Sequence, residues 1–363
     1  MVVLTVLGTR PEAIKLAPVI RRLGATAGVR SPVCVTFQHD GLPADVLLAF
    51  GIRPDVAIGA PPPDGALTAR IGAMVARLGA VIAAVRPDWV LVQGDTGTAL
   101  AGALAGFYAR VKVAHIEAGL RSFDLAAPWP EEMHRRLIAE LADLHFAPTE
   151  QARRNLLAEG VADARIAVTG NTGIDALHEA VARLDRARGA APPQVANRRT
   201  VLVTQHRRES FGAGIARVAE GVRRIADRGD VEVLFPLHPN PAARAPAQAA
   251  LGAHPAVRLL GPQDYLAFVA LMRRAALILT DSGGVQEEAP VLGKPLLVTR
   301  ETTERMEGVE AGTALLVGTD PGRIEAAAAR VLDDEGAYRA MSRTHSPYGD
   351  GRAAERIVRR LLA

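Results

Sequence analysis

The stretch Leu277-Ile278-Leu279-Thr280-Asp281-Ser282-Gly283-Gly284-Val285-Gln286-Glu287-Glu288-Ala289-Pro290 decides the fold of this 363-residue chain. Residues 277–279 form a short apolar run of strand type, and residues 285–292 carry a helical pattern. Asp281, Ser282, Gly283 and Gly284 join the two through a turn whose glycines let a ligand approach the backbone. A strand that turns through small residues into a helix presents amide groups at the helix N-terminus, an end suited to a phosphate or diphosphate. Glu287 and Glu288 follow in the first turns, where a carboxylate can accept hydrogen bonds from sugar or ribose hydroxyls. An ordinary turn capped by Ser282 accounts for the four turn residues equally well; the paired glutamates make the longer motif more specific.

Working outward, short strands rich in Val, Ile and Leu alternate with helical segments, which predicts parallel sheets built from βαβ units. Strands are expected at 2–7, 32–36, 89–93, 111–116, 144–147 and 166–168, and again at 200–203, 231–235, 257–259, 277–280, 295–298 and 314–317. The Pro/Gly/Ala-rich stretch at 187–199 reads as a linker between the two series. Two doubly wound α/β domains facing a cleft are the expectation, with ligands bound beyond the carboxyl ends of the strands.

Composition bounds the function. A length of 363 residues suits two domains, and 49% hydrophobic with 23% charged residues describes an ordinary globular chain. The net charge of +4 is spread thinly and aromatics are 4%, so neither a nucleic-acid groove nor a base-stacking platform is expected. Cys34 is the only cysteine and sits in an apolar run, which leaves no intrachain disulfide and no cysteine metal cluster. The longest apolar run, 99–109, is about half of a membrane span. With no charged leader ahead of the first strand, a cytoplasmic protein without membrane partners is expected. Lys15, Lys112 and Lys294 are the only lysines among 43 basic residues.

Candidate chemistry gathers just after the strands. Gly8-Thr9-Arg10-Pro11-Glu12 follows the first, and Arg10 with Lys15 can reach an anion there, although Thr9 as cap and Pro11 in the first turn also explain the pattern. Asp95, in Gln93-Gly94-Asp95-Thr96, is placed to cap the next helix. Glu117, in His115-Ile116-Glu117-Ala118-Gly119-Leu120-Arg121, is not explained by capping, because helical pattern resumes only after Pro130. Glu131-Glu132 open that helix, where carboxylates also suit the macrodipole. Three acidic sites at the loop tips of one sheet edge suit proton transfer. In the second half, His206, Arg207 and Arg208 can hold or protonate a phosphate, His238 sits in a rigid Pro-rich turn, and Thr302-Thr303-Glu304-Arg305 adds a cation.

Together these motifs resemble the bacterial non-hydrolysing UDP-N-acetylglucosamine 2-epimerases. The resemblance runs through Gly-Thr-Arg-Pro-Glu-Ala-Ile-Lys at 8–15, Gln-Gly-Asp-Thr at 93–96, His-Ile-Glu-Ala-Gly-Leu-Arg at 115–121 and Pro-Trp-Pro-Glu-Glu at 128–132. It continues with Thr-Gly-Asn-Thr at 169–172, His-Arg-Arg-Glu-Ser-Phe-Gly at 206–212, His-Pro-Asn-Pro at 238–241, the opening motif at 281–290 and Thr-Thr-Glu-Arg at 302–305. It implies the GT-B architecture, two Rossmann-like domains facing a cleft, with 1–170 plus a returning helix within 346–363 as one domain and 171–345 as the UDP-binding other. It also implies inversion at C2 of UDP-GlcNAc to UDP-ManNAc, by anti elimination of UDP and syn re-addition to a glucal. Asp95, Glu117 and Glu131 take the acid–base work, without an assignment of which acts on which face, and His206 joins them at the catalytic centre. Nucleotide and sugar contacts fall on Arg10, Lys15, Gln263, Phe268, Ser282, Gly283, Gly284, Glu288 and Arg305, with Glu288 on the ribose hydroxyls. No metal or redox cofactor is implied, and a homodimer is. Competing expectations are a hydrolysing 2-epimerase releasing UDP and ManNAc, an epimerase of a modified UDP-GlcNAc, a GT-B glycosyltransferase, and a nucleotide-sugar-binding protein without catalysis.

The chain departs from the family pattern at His134, where Asn is usual, and at Met306, where Pro is usual. A larger departure is Gln38-His39-Asp40-Gly41-Leu42-Pro43. In the family a Gln-His-Arg type segment here lines a pocket for a second, activating UDP-GlcNAc. Asp40 puts a negative charge near a diphosphate in place of a positive one, and Pro43 is expected to fix a turn. The expected outcome is epimerisation of UDP-ManNAc without activation; a progress curve begun from UDP-ManNAc freed of UDP-GlcNAc checks it, and a lag relieved by a trace of UDP-GlcNAc overturns it.

Overall fold

The computed structural model describes residues 1–36, 42–59, 66–187, 198–205, 212–237 and 240–363. They fall into two compact units: Met1–Ala176 with Tyr348–Ala363, and Leu177–Pro347. The boundary lies inside a helix, one turn beyond the Thr-Gly-Asn-Thr motif.

Unit 1 alternates strand and helix: β1 (Val3–Leu7), α1 (Arg10–Gly24), β2 (Val33–Val35), α2 (Leu42–Ala49), β3 (Val56–Ala57), α3 (Leu67–Val85), β4 (Trp89–Gln93), α4 (Gly97–Tyr108), β5 (Lys112–Ile116), α5 (Glu131–Leu141), β6 (Leu144–Ala147), α6 (Glu150–Ala158), β7 (Ile166–Val168) and α7 (Thr172–Ala187). The strands form one parallel sheet in the order β3-β2-β1-β4-β5-β6-β7. β1 and β4 are buried along their full length, as strands covered by helices on both faces must be. The chain winds outward in both directions from β1 and β4, so the loops after these strands mark the switch point where such folds bind ligands. The expected strand cores at 89–93, 144–147 and 166–168 are reproduced residue for residue; the two-residue edge strand β3 is too short to announce itself in the sequence.

Two expectations change here. Residues 37–41 lie outside the described residues, but α2 begins at Leu42, so Pro43 occupies the first turn of a helix instead of fixing a turn. Proline is tolerated there because the early amides of a helix have no intrahelical acceptor. The other concerns α3, which spans 19 residues with a mean hydropathy of 1.5 and is long and apolar enough to cross a membrane by composition alone. A search for unbroken apolar runs passes over it because Arg70 and Arg77 interrupt the segment. In the fold Met74, Leu78 and Ile82 anchor its inner face in the core of unit 1 with Leu100, Val92 and Leu4.

Unit 2 repeats the pattern with β8 (Arg199–Thr204), α8 (Ala213–Ala226), β9 (Val231–Pro236), α9 (Pro241–Leu251), β10 (Val257–Leu260), α10 (Tyr265–Arg274), β11 (Leu277–Thr280), α11 (Gly283–Val291), β12 (Leu296–Val298), α12 (Met306–Glu310), β13 (Ala314–Leu316), α13 (Pro321–Asp333) and α14 (Glu335–Ser342). Its parallel sheet runs β10-β9-β8-β11-β12-β13, which puts the turn after β11, the opening motif, at the switch point of this unit. Its core packs Val201, Val203, Val218, Val233, Phe235 and Ile324 between the sheet and the covering helices. The chain then returns as α15 (Ala353–Leu362), which packs on α1 in unit 1.

The centre of the first sheet buries two histidines side by side. His115 on β5 and His145 on β6 are partners in register and are 1% and 0% exposed. Burial pushes His115 down to about 4 and His145 down to about 3, His145 with a further push from His115 and Arg165. Unfolded histidines take up protons near 6.5, so between that value and 4 the unfolded chain binds protons that the fold refuses. Stability is therefore full above pH 6.5 and is lost as pH falls. The expected slope for each histidine rises from about 0.7 kcal/mol per pH unit at pH 6.5 towards about 1.4 near pH 5. Urea unfolding at a series of pH values measures it, and His145→Leu is expected to flatten the slope by about one proton.

Candidate active site

The site in unit 1 is built on the sheet edge formed by the C-terminal ends of β1, β4, β5 and β7. Residue by residue, the fold decides which side chains cap a helix and which acids pair with a base. After β1, Thr9 caps α1 and its capping box is closed by Glu12. The buried Glu12 carboxylate accepts the amides of Gly8 (2.9 Å) and Thr9 (2.7 Å) and the Thr96 hydroxyl (2.6 Å). Desolvation raises its pKa, the largest of several opposing effects. The amides of this first loop are therefore occupied by the protein's own carboxylate, so the loop does not resemble an open phosphate cradle.

Asp95 does not cap α4; the Thr96 side chain does, accepting the amide of Ala99 at 3.0 Å. That leaves the Asp95 carboxylate to Arg135, which approaches Oδ2 with Nε at 2.8 Å and Nη2 at 2.7 Å. Arg135 lies one helical turn after Glu131 on α5, so the two share a face. Glu131 is half-buried at the first helical position, and Arg135 also reaches the fully buried Glu132 at 3.1 Å. His134, where the family usually carries Asn, points Nδ1 at the Asp95 carbonyl at 2.8 Å. An imidazole N–H donor there does what an amide donor would.

Glu117 follows β5 directly with φ +65°, a left-handed conformation seldom taken by a residue of this kind. Its side chain, 7% exposed, receives Lys15 from α1, the Gln93 amide at 2.8 Å and the Asn171 amide at 3.0 Å, all on Oε2. Lys15 is thus committed to a carboxylate in this structure. Arg10 is half-buried at the start of α1. Arg121, from the same motif as Glu117, forms a two-pronged pair with Glu159 and is structural.

In unit 2, Ser282 caps α11, accepting the Val285 amide, while its own amide donates to the Thr280 hydroxyl at 3.0 Å. A Cβ at Gly283 would lie 2.7 Å from the guanidinium carbon of Arg305, so a side chain there would force that arginine to shift. Arg305 is buried and pairs with Glu287 (Nε to Oε1, 2.6 Å) and with Glu304, which also takes Arg300 at 2.9 Å. A cation packed under the helix N-terminus reinforces the positive end of the dipole, while its two carboxylates offset much of the charge. Gly284 is half-buried in the first turn. Glu288 accepts the Tyr265 hydroxyl at 2.9 Å, and burial raises the Tyr265 pKa well above its ordinary value, with Glu288 adding to it. Tyr265 and the half-buried Phe268 stand on α10, and Gln263 just before it donates to the Gly261 carbonyl at 2.8 Å. His206 and His238, both singled out in the sequence, lie outside the described residues.

The fold therefore brings Asp95, Glu117 and Lys15, and through Arg135 also Glu131, to one edge of unit 1, and gathers Ser282, Gly283, Glu288 and Arg305 around α11 in unit 2. Sequence reading passed over Gln93, Asn171, Arg135 and Tyr265. Gln93 and Asn171 lay within quoted motifs but are uncharged, and the i, i+4 spacing of Glu131 and Arg135 was the available signal for the third. Among the described residues no group of His, Cys, Asp and Glu is arranged to hold a metal ion.

These two parallel sheets, each covered by helices, define an α/β protein of two Rossmann-like halves. The sequence profile of the UDP-N-acetylglucosamine 2-epimerases matches residues 21–362. The UDP-N-acetylglucosamine 2-epimerase of Escherichia coli K12 is 49% identical, over 99% of this chain and 98% of its own. A probable UDP-N-acetylglucosamine 2-epimerase of Ralstonia solanacearum is 49% identical over the same shares. The crystal structure of the Neisseria meningitidis UDP-GlcNAc 2-epimerase bound to UDP-GlcNAc superposes with a TM-score of 0.96 at 43% identity, covering 100% of both chains. The chain belongs to the UDP-N-acetylglucosamine 2-epimerase family, a family of isomerases.

Proposed function

We propose that this chain interconverts UDP-GlcNAc and UDP-ManNAc by elimination and re-addition of UDP. The observation that carries the reading is the carboxylate constellation of unit 1: Glu117 held by Lys15, Gln93 and Asn171, beside Asp95 held by Arg135. Membership of the family and the UDP-GlcNAc-bound Neisseria relative support it.

The C2 hydrogen has no neighbouring carbonyl to acidify it, so its loss must be coupled to departure of the diphosphate. A carboxylate takes the C2 proton as the C1–O bond breaks, its electron pair leaving with UDP, and a C1–C2 double bond forms. A proton then returns to C2 from the opposite face while a diphosphate oxygen re-forms the bond at C1. Asp95, Glu117 and Glu131 carry the proton transfers. Arg10, Lys15, His206 and Arg305 supply positive charge, and the N-terminus of α11 at Ser282, Gly283 and Gly284 receives the diphosphate. Gln263, Phe268 and Glu288 take the nucleoside, with Glu288 oriented towards the ribose hydroxyls by Tyr265.

We also infer a homodimer. α3 packs on α4 and α4 on α5; Phe107 and Tyr108 on α4 and Met133 and Leu137 on α5 are exposed, and α3 is largely uncovered. Exposed apolar side chains on neighbouring helices suit association. Light scattering on the full chain is expected to give twice the chain mass; a monomer at micromolar concentration overturns it.

Incubation with UDP-GlcNAc in D₂O tests the reaction. Deuterium is expected at C2 of both epimers, and inversion with the original hydrogen retained rules out elimination. Accumulation of free UDP and ManNAc would instead assign the hydrolysing reaction. Glu117→Gln is expected to lower turnover by about 10²–10⁴-fold while UDP affinity, read by calorimetry, stays unchanged.

A further inference from the structure

Two motif residues remain without a part of their own in the chemistry: Gln93 in Gln-Gly-Asp-Thr and Asn171 in Thr-Gly-Asn-Thr. Both side chains are buried, Gln93 at 3% and Asn171 at 1% exposed, and both spend an amide donor on the same atom, Oε2 of Glu117. Lys15 is the third donor to that oxygen. Each donor comes from a different element: α1, the end of β4, and the turn between β7 and α7.

The orientation of the Asn171 amide is fixed by its surroundings. Its Oδ1 accepts the Gly173 amide at 3.1 Å, so the Nδ2 side must face Glu117. The backbone of the turn is fixed from outside. The Asn171 N–H donates to the carbonyl of Tyr348 at 2.5 Å, and Tyr348 is fully buried. Gly170 and Gly349 meet so closely that a Cβ on Gly349 would lie 3.1 Å from the Cα of Gly170. Arg356 on α15 donates to the Thr169 carbonyl at 3.1 Å, and Asp175 on α7 accepts the first two amides of α15, Ala353 at 3.1 Å and Ala354 at 2.9 Å. The returning C-terminal segment is therefore built around the turn that carries Asn171.

We propose that Gln93 and Asn171 are positioning residues for Glu117, and that the returning segment Tyr348–Ala363 sets Asn171 against that carboxylate. The role rests on the epimerase reading above. A lysine alone is a point charge on a four-carbon stem with freely rotating donors. Two neutral amides mounted on rigid backbone fix the place of that oxygen and leave the charge of the site unchanged. A proton transfer at carbon needs that rigidity, because a displacement of about 1 Å costs on the order of 100-fold in rate. The left-handed backbone at Glu117 adds to the need, since such a residue persists only where its surroundings over-determine it.

The test compares the wild-type chain with Asn171→Ala, Asn171→Asp and Gly349→Ala, following C2 deuteration of UDP-GlcNAc across pH. In Asn171→Ala, kcat is expected to fall about 10- to 100-fold while KM stays within about two-fold. Its acidic limb of kcat is expected to move to higher pH, because a donor to the ionised carboxylate is gone. Asn171→Asp keeps the shape, sets a second carboxylate against Glu117 and is expected to lose more. Gly349→Ala leaves all three donor side chains in place, crowds the backbone of the turn at Gly170 and Asn171, and is expected to reproduce the loss of kcat through the clamp. Unfolding midpoints in urea separate these effects from loss of folded protein. A wild-type kcat and acidic limb in Asn171→Ala, a rise in KM alone, or losses that only follow the folded fraction overturn the positioning role. No C2 exchange by the wild-type chain overturns the epimerase reading itself, and the positioning role with it.

Discussion

The interaction on which unit 1 depends is the convergence of Lys15, Gln93 and Asn171 on one oxygen of Glu117. It exists only because the sheet is parallel and in register. β4 and β5 pair so that Gln93 lies opposite Ile116, the residue before Glu117, and β7 delivers the turn of Asn171 to the same edge. Parallel strands release all their C-terminal loops on one side, so residues distant in sequence meet there. The burial that makes this possible also traps His115 and His145 in their neutral forms within the neighbouring strands.

Capping chemistry decides which acids are available. Glu12 and Thr9 close the first turn of α1, and Thr96 closes α4, so the backbone donors that would otherwise draw Asp95 are already satisfied. Asp95 is then free to answer Arg135, which ties the loop after β4 to the start of α5 and to Glu131 on the same helical face. Unit 2 handles charge differently. Arg305 sits under the first turn of α11 with Glu287 and Glu304 around it, a buried arrangement in which removing any one partner would strand the others in a poorly solvating interior. The motif residue Gly283 is small because that guanidinium occupies the space a side chain would need.

Much of this was legible in the residues alone. The alternation of apolar runs with helical segments gave twelve strands close to their observed limits, because strands buried on both faces carry little besides Val, Ile and Leu. The family was legible from motifs along the whole chain; Asp95 and Glu117 stood out as acids just beyond strands, and Glu131 as an acid opening a helix. The two-residue β3 escaped, having no pattern to show, as did α3 as a long apolar helix, because Arg70 and Arg77 break its run while its inner face stays regular.

Read alone, the residues settle what is local: which segments are strands, where turns of small residues open helices, and which acids and bases stand at their ends. Partnership was decided by the tertiary structure. Nothing in the spacing says that Thr96, not Asp95, caps α4, that Lys15 answers Glu117, or that the uncharged Gln93 and Asn171 complete the same cluster. Propensity and pattern act within a few residues along the chain. A hydrogen bond between positions 102 or 54 residues apart is set by strand order, register and the returning C-terminal segment, which exist only once the core has packed.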